Sequence, residues 1–126
     1  MHVNCQEALL KHAECICVFN QANSPRVQAI TLKLKSPVEL EEIERLIRNH
    51  NEWVDLVPNT KDETLQRLTP CAVAGGLKVA VGRVRRMAMG DKYLTVFTVG
   101  DQLLWGAAEP VRRALQIVLG HISKGQ

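Results

Sequence analysis

Histidine and cysteine are concentrated near the start of the chain, at His2, Cys5, His12, Cys15 and Cys17. Imidazole and thiolate groups at short spacing are the ligands of structural zinc sites. The spacings here are His-x-x-Cys and His-x-x-Cys-x-Cys, without the paired Cys-x-x-Cys units that mark such sites. Cys15 and Cys17 also lie two residues apart in a short apolar run, where cysteine commonly acts as a small buried hydrophobe. The sequence therefore predicts no metal site.

The other reactive side chains are scattered. Cys71 follows Pro70 in a predicted loop with no histidine near it in the sequence, and an isolated loop cysteine is usually unreactive. The acidic pairs Glu41-Glu42 and Asp62-Glu63 are typical of solvated surface. No Gly-x-Ser-x-Gly nucleophile motif occurs. The pattern therefore predicts no nucleophilic or acid–base centre.

The charge pattern argues against nucleic-acid binding. The net charge is only +3, and the basic clusters are Arg83, Arg85 and Arg86, then Arg112 and Arg113. Such clusters are usually solvated or paired with acids, because a nucleic-acid footprint needs a basic stripe and aromatic stacking groups. The chain has one Tyr, two Phe and two Trp, so stacking groups are few.

Neither a membrane span nor a secretory signal is recognisable. No apolar run approaches the ~18 residues that a spanning helix needs, and the first residues lack the basic and apolar regions of a signal peptide. The four cysteines are therefore expected to be reduced thiols in the cytoplasm. A length of 126 residues suits one domain with its own core.

Period-two alternation predicts much of the secondary structure. Over Val27–Lys35, the apolar residues Ile30, Leu32 and Leu34 alternate with polar ones, as in an antiparallel strand with one polar face. Further strands are predicted at residues 15–19, 53–57, 77–87 and 93–99, the last two joined as a hairpin by the turn at Gly90 and Asp91.

Helical signals occur at two places. Ser36, Pro37 and Glu39 form a capping box with proline in the first turn, so we expect a helix to begin there. Its apolar face is Leu40, Ile43, Leu46 and Ile47, and residues 49–51 end it. A weaker helical signal covers residues 6–13.

The last helix is predicted over residues 102–122. It carries one apolar stripe with a kink at Pro110, and the stripe comprises Leu104, Ala108, Val111, Leu115, Val118 and Ile122. Residues 59–76, which include Pro70 and Gly75-Gly76, are predicted to be largely loop. Strands and two substantial helices in mixed order predict an α+β fold of two layers, with a mostly antiparallel sheet and helices on one face.

Three motifs carry a family resemblance. Residues 67–76 are R-L-T-P-C-A-V-A-G-G, residues 81–90 are V-G-R-V-R-R-M-A-M-G, and residues 97–113 are F-T-V-G-D-Q-L-L-W-G-A-A-E-P-V-R-R. They resemble the C-terminal end of aspartate-semialdehyde dehydrogenase of the Gram-negative bacterial type. With weaker similarity upstream, the resemblance covers roughly residues 17–113. It divides the chain into a lead segment without a counterpart, residues 1–14, and a dimerisation domain, residues 15–126.

The resemblance implies a fold like the C-terminal domain of the glyceraldehyde-3-phosphate dehydrogenase type. The family enzyme reduces aspartyl phosphate to aspartate semialdehyde with NADPH. Its Gly-rich dinucleotide loop and its nucleophilic cysteine belong to a half that has no counterpart in this sequence. We therefore expect no cofactor.

Two catalytic positions of the family fall within the resemblance. With the register anchored on Gln28-Ala29, the arginine that binds the substrate carboxylate corresponds to Phe19, and the general-base histidine corresponds to Arg26. Phenylalanine cannot bind a carboxylate, and arginine stays protonated at ordinary pH. Gln102 corresponds to a residue near the nicotinamide, but one amide cannot hold a cofactor alone. The resemblance therefore implies a domain that is not an enzyme.

Two kinds of function stay open. The first is association through the sheet, as a homodimer or with a full-length dehydrogenase, since an uncovered apolar sheet needs a cover. Its contact residues are predicted to be Val79, Val81, Val96 and Phe97. The alternative is a small anion- or nucleotide-binding module that uses a remnant of the old active site. That remnant would be lined by Phe19, Arg26 and Gln102, with Arg26 holding the anion.

Overall fold

The computed structural model describes the backbone of residues 13–21 and the backbone and side chains of residues 26–120. Within these residues five strands form one sheet: β1 (Ala13–Gln21), β2 (Arg26–Leu34), β3 (Val54–Leu56), β4 (Val79–Arg86) and β5 (Tyr93–Gly100). The order across the sheet is β1-β2-β5-β4-β3. All neighbouring strands are antiparallel except β3, which is parallel to β4.

The described helices are α1 (Leu40–Arg48), α2 (Lys61–Arg67), α3 (Pro70–Val73), a π-helical turn (Leu104–Ala108) and α4 (Glu109–Val118). The predicted α+β fold with a mostly antiparallel sheet is confirmed. None of the helices in the described part of the chain is both long enough and apolar enough to pass through a bilayer. The weak helical signal over residues 6–13 lies outside the described residues except for Ala13, which begins β1.

The main core lies between α1 and one face of the sheet. The alternation in β2 buries Ile30, Leu32 and Leu34, as predicted, and the register sets Ile30 against Val96 of β5. From α1, Ile43 packs on this layer. The buried members of the core are Ile30, Leu32, Leu34, Ile43, Ile47, Val81, Val84, Leu94 and Val96. Burying such a side chain stabilises the fold by about 1.5–3 kcal/mol.

Helix α1 begins later than its capping box predicts. Its N-cap is Glu39, with extended backbone (φ −64°, ψ 143°) and no side-chain capping bond. Tertiary bonds hold the preceding segment extended: the carbonyl of Val38 accepts from Arg86 at 2.6 Å, and the carbonyl of Lys35 accepts from Lys92 at 3.1 Å. The prediction that Ser36 caps this helix is therefore wrong, because contacts to distant residues outweigh the local signal.

The segment predicted to be largely loop contains α2 and α3 instead. The Thr60 hydroxyl accepts a hydrogen bond from the backbone N–H of Glu63, and the Glu63 carboxylate binds Arg67 at 2.8 Å. Thr-x-x-Glu is a capping box in its own right, so the sequence held a helix signal that the prolines and glycines obscured. The loop prediction for residues 59–76 is wrong over these two helices.

The β4–β5 hairpin is confirmed, with one irregularity. The register shifts between Gly82 and Arg85, and Arg83 at this point has φ 52°. A non-glycine residue in the left-handed region marks a β-bulge, which bends the strand. The neighbouring Arg85 binds the side-chain oxygen of Asn59 at 3.1 Å.

The final helical segment departs from its prediction at the proline. The irregularity expected at Pro110 takes the form of the π-helical turn just before it, and Pro110 itself lies in the first turn of α4. The apolar stripe does not pack on the core, since Val111, Leu115 and Val118 are 70%, 56% and 83% exposed. The inward side of α4 carries Glu109 instead, which is 4% exposed.

Candidate interaction surface

One part of the sheet stays half-buried on the side opposite α1. We call it the β2–β5 face and define it by Val27, Ala29, Thr31, Thr95 and Phe97, all half-buried. The register pairs Ala29 with Phe97 and Thr31 with Thr95. Residues directly opposite each other in antiparallel strands share a face and contact each other. The β2–β5 face is therefore a continuous patch of apolar and threonine side chains. Lys33 of β2 and Arg85 of β4, which the register sets opposite Thr95, lie at its border.

The patch continues a second buried cluster. Leu68 and Val73, at the ends of α2 and α3, pack with Val57, Ala80 and Val99, and Val27 and Phe97 of the β2–β5 face pack against this cluster. The close approach depends on Gly82, since a Cβ there would lie 3.0 Å from Cδ2 of Leu68. The second cluster covers this side of the sheet around β4, and the β2–β5 face lies at the edge of the cluster.

The structure separates the four predicted contact residues. Val81 and Val96 are 0% and 1% exposed and belong to the main core under α1. Their prediction as contact residues is wrong, because α1 covers the face of the sheet on which they lie. Val79 is half-buried and packs against the same core. Phe97 alone of the four lies on the β2–β5 face.

The carboxylate of Asp101 ties the start of the final helical segment to the loop before β4. It accepts hydrogen bonds from the backbone N–H groups of Gly75 (2.9 Å), Leu103 (2.9 Å) and Leu104 (3.2 Å). The bond from Gly75 is the largest influence that holds the pKa of Asp101 below its usual range, against the opposing effect of burial. Asp101 therefore stays ionised and caps the helical segment.

A second junction joins α4 to the segment before β3. Trp53 and Trp105 meet edge to face, with ring centroids 5.6 Å apart, and the Arg113 guanidinium lies 5.0 Å and 5.3 Å from the two rings. The buried Glu109 carboxylate binds Arg113 at 2.8 Å and Arg112 at 2.6 Å. Hydrogen bonding from Arg112 lowers the pKa of Glu109 to about 2, although burial opposes it. Most members of this junction, namely Trp105, Glu109, Arg112 and Arg113, lie in the motif at residues 97–113 that carries the family resemblance.

The predicted remnant of an active site is only partly assembled. The register sets Arg26 opposite Gly100, two residues before Gln102, and sets Phe19 opposite Ala29. Arg26 and Gln102 thus lie at the same end of the sheet. The Gln102 side chain, however, lies against Gly106, where an added Cβ would be 3.2 Å from Cδ of Gln102 and closer still to Nε2. Gln102 therefore packs on the π-helical turn.

The thiol and imidazole groups form no visible centre. Cys71 is exposed and unpaired, and within residues 26–120 no three His, Cys, Asp or Glu side chains come together as metal ligands. His2, Cys5 and His12, and the side chains of Cys15 and Cys17, lie outside what the structure describes. The prediction that these residues form no zinc site therefore stays a prediction.

A pocket of about 180 Å³ lies beside α3, lined in part by Asp55, Arg67 and Lys78. Arg67 binds Asp55 at 2.7 Å and Glu63 at 2.8 Å. Because two carboxylates already neutralise this guanidinium, the pocket is a weak anion site. It offers less for recognition than the β2–β5 face.

The sheet order, the helix on one face and the half-buried patch on the other define an α+β domain of the dehydrogenase dimerisation type. The family model described as "Semialdehyde dehydrogenase, dimerisation domain" matches residues 14–105. The chain belongs to this family.

Solved structures agree with this assignment. Aspartate semialdehyde dehydrogenase from Francisella tularensis is 47% identical, with a TM-score of 0.71, over 75% of this chain and 26% of that one. Aspartate semialdehyde dehydrogenase II from Vibrio cholerae is 19% identical, with a TM-score of 0.57, over 79% of this chain and 28% of that one. A probable aspartate-semialdehyde dehydrogenase from Pseudomonas aeruginosa is 19% identical (TM-score 0.52), over 64% of this chain and 22% of that one. This chain spans about a quarter of the length of these relatives.

Proposed function

We propose that the domain is non-catalytic and forms a homodimer through the β2–β5 face. The observation that carries the proposal is a half-buried patch of apolar and threonine side chains, with charges only at its border, on a dimerisation-family sheet whose other face is filled by α1. Sheets that pack face to face lie about 10 Å apart with interdigitating side chains. Phe97, the largest side chain of the patch, would supply the contact at its centre. The dimer is expected in the cytoplasm, where the four cysteines stay reduced.

The same surface makes mixed association part of the proposal. The Francisella tularensis enzyme is 47% identical over most of this chain, so a related full-length dehydrogenase would present a similar sheet. The domain would then occupy one half of a dimer and leave the full-length partner without its usual copy. It would act as a modulator without carrying out a reaction.

The proposal that the domain is non-catalytic rests on the residue types at two positions. Phe19 and Arg26 correspond, by the family resemblance, to the arginine for the substrate carboxylate and to the general-base histidine. Neither side chain can take over the role, because phenylalanine has no polar group and arginine does not release its proton at working pH. We therefore expect no semialdehyde dehydrogenase activity from the isolated chain.

The test is the solution mass of the full chain and of two surface variants, by light scattering on a sizing column. Wild type is expected at twice 14.1 kDa. Phe97→Glu should run as a monomer, because in a two-fold dimer the substitution buries two carboxylates in an apolar contact. Thr31→Lys tests the same patch without removing an aromatic side chain from the second cluster.

Leu65→Glu is the matched control, since Leu65 is 63% exposed on α2. Its mass should equal that of wild type, and circular dichroism should show every variant folded. A wild-type monomer, or a dimer that survives both Phe97→Glu and Thr31→Lys, would exclude this surface. Mixed association is tested by adding the purified Francisella tularensis enzyme and looking for a species of intermediate mass that Phe97→Glu abolishes.

A further inference from the structure

A second apolar surface lies on the final helical segment. Val111, Leu115, Val118 and Leu119 of the final helical segment are 70%, 56%, 83% and 59% exposed. We call these four residues the α4 stripe. Four adjacent large apolar side chains at this exposure form a patch, whereas scattered exposed leucines need no explanation. All four lie beyond the residues that the dimerisation-family model matches, which end at 105.

The α4 stripe points away from the rest of the domain. At 100° per residue its members fall within roughly one quarter of the helix circumference. The inward side is occupied by the polar junction, where Glu109 is buried and Arg113 packs on Trp53 and Trp105. The stripe therefore cannot turn into the core without breaking that junction, and burial requires another surface.

We propose that the α4 stripe binds the α4 stripe of a second copy as an antiparallel helix pair. The stripe is self-complementary about Leu115, because Val111 and Leu119 each lie four residues from it. A two-fold axis at Leu115 sets Val111 of one copy against Leu119 of its partner. Isologous contacts of this kind close on themselves.

The charges of the helix favour the antiparallel direction. All charged residues of the described helix lie in its first half, at Glu109, Arg112 and Arg113, and residues 114–120 carry none. In an antiparallel pair Arg112 of each copy faces the uncharged half of the other. A parallel pair would set Arg112 of one copy beside Arg112 of the other, and neighbouring like charges repel. Opposed helix dipoles add to the same preference.

The size of the stripe limits the strength of the contact. A stable interface commonly involves about 20–30 residues on each side, far more than four. The helix pair is therefore expected to be weak and concentration-dependent. It would add to the stronger contact proposed for the β2–β5 face and would join sheet-linked dimers into larger assemblies.

The test separates the two contacts by using the Phe97→Glu chain as the background. Sedimentation equilibrium is measured from about 1 µM to about 1 mM, the range over which weak contacts dissociate. The background should pass from monomer to dimer as concentration rises. Adding Leu115→Glu should weaken this association by ~tenfold or more, since the change acts twice in a two-fold contact. Adding Leu65→Glu, a leucine of similar exposure at 63% on another helix, should leave it unchanged.

Three results would overturn the proposal. The first is a Phe97→Glu chain that stays monomeric at every concentration. In that case the α4 stripe would be covered by residues outside the described range or by a different protein. The second is an association that Leu115→Glu leaves intact, and the third is open-ended growth in mass instead of a closed dimer. If Phe97→Glu does not lower the wild-type mass, the sheet proposal fails by itself, and Leu115→Glu in the wild-type chain then tests the α4 stripe.

Discussion

Replacing Glu109 by glutamine should destabilise the domain in neutral solution and much less in acid. The substitution keeps the shape of the side chain and removes the charge that binds Arg112 and Arg113. Glu109 is only 4% exposed, so two guanidinium groups would lose their carboxylate at a buried position. Breaking a buried pair by removing one partner is costly, because the remaining charge stays desolvated.

The magnitude follows from the pKa of Glu109. The arginines lower this pKa from 4.5 to about 2. A difference of one pKa unit between the folded and unfolded states corresponds to about 1.4 kcal/mol, so the interaction stabilises the fold by about 3 kcal/mol at most at pH 7. Because Arg112 is 51% exposed, solvent screens part of this interaction, and we expect a loss of about 2 kcal/mol for Glu109→Gln.

The sign of the pH dependence is fixed by the direction of the shift. A carboxyl whose pKa is lower in the folded state stabilises the fold above its unfolded pKa and loses that effect as the pH falls. For Glu109 the window extends from about 4.5 down to about 2. The difference between wild type and Glu109→Gln should therefore be constant above pH ~5 and should have fallen by about half or more at pH 3.

Urea unfolding at fixed protein concentration measures this difference, followed by tryptophan fluorescence. Trp53 and Trp105 are the two tryptophans of the chain, and both contact Arg113, so the signal reports on the junction itself. Glu42→Gln is the matched control. It removes a surface pair with Arg45. The Glu42 and Arg45 side chains are 43% and 63% exposed, so the loss should be much smaller than that of Glu109→Gln. Equal losses in the two variants, or a Glu109→Gln loss that does not change with pH, would refute the reasoning.

Two further substitutions test how the start of the final helical segment is held. Gly106→Ala forces the flexible end of the Gln102 side chain to move, because an added Cβ would lie 3.2 Å from its Cδ. The substitution should therefore stabilise the domain less than the same change in a Gln102→Ala background, where helix propensity contributes up to about 1 kcal/mol. An equal change in melting temperature in both backgrounds would disprove the contact. Asp101→Asn should cost about 1–2 kcal/mol at pH 7, because the amide replaces an ionised acceptor of three backbone N–H groups. The loss should shrink in acid, since the pKa of Asp101 is lowered by folding, and Asp91→Asn in the exposed β4–β5 turn is its control; a loss no larger than in that control would count against the cap.

Local pattern predicted those elements whose residues are selected by burial. The alternation of Ile30, Leu32 and Leu34 identified both β2 and its buried face, and the spacing of Ile43 and Ile47 identified the inner side of α1. Where α1 begins was not predictable from Ser36, because the segment before it is held by bonds to Arg86 and Lys92. Those partners are distant in sequence, and a short capping motif contains no information about them.

The candidate surface was predictable only in part. The sequence indicated β4 and β5 as contact strands, but it gave no means of choosing between Val96 and Phe97. Which of two neighbouring residues lies under α1 depends on the register with β2 and on where the helix packs. A half-buried apolar residue and a core residue have the same side-chain chemistry, so composition alone cannot separate them.

The final helix shows the converse difficulty. Its apolar stripe was visible in the sequence and its buried side was not, because Glu109 and Arg113 are residue types typical of exposed positions. Their burial depends on Trp53, far away in the chain, and on Trp105, whose indole N–H donates to the Leu77 carbonyl at 2.9 Å. The Asp-x-Leu-Leu start of the segment was a signal that could have identified Asp101 as a cap.

The position of β2 between β1 and β5 has a consequence for how the chain folds during synthesis. Residues 26–34 pair on one side with a strand made just before them and on the other with residues 93–100, which are made much later. Non-local pairing of this kind slows folding, because a long loop must close before the contacts form. Until residue 100 has left the ribosome, β2 has only β1 beside it, and its apolar face lacks the part of the core that β5 supplies. The exposed apolar residues and the unpaired edge of β2 make the unfinished chain prone to aggregation until β5 is made.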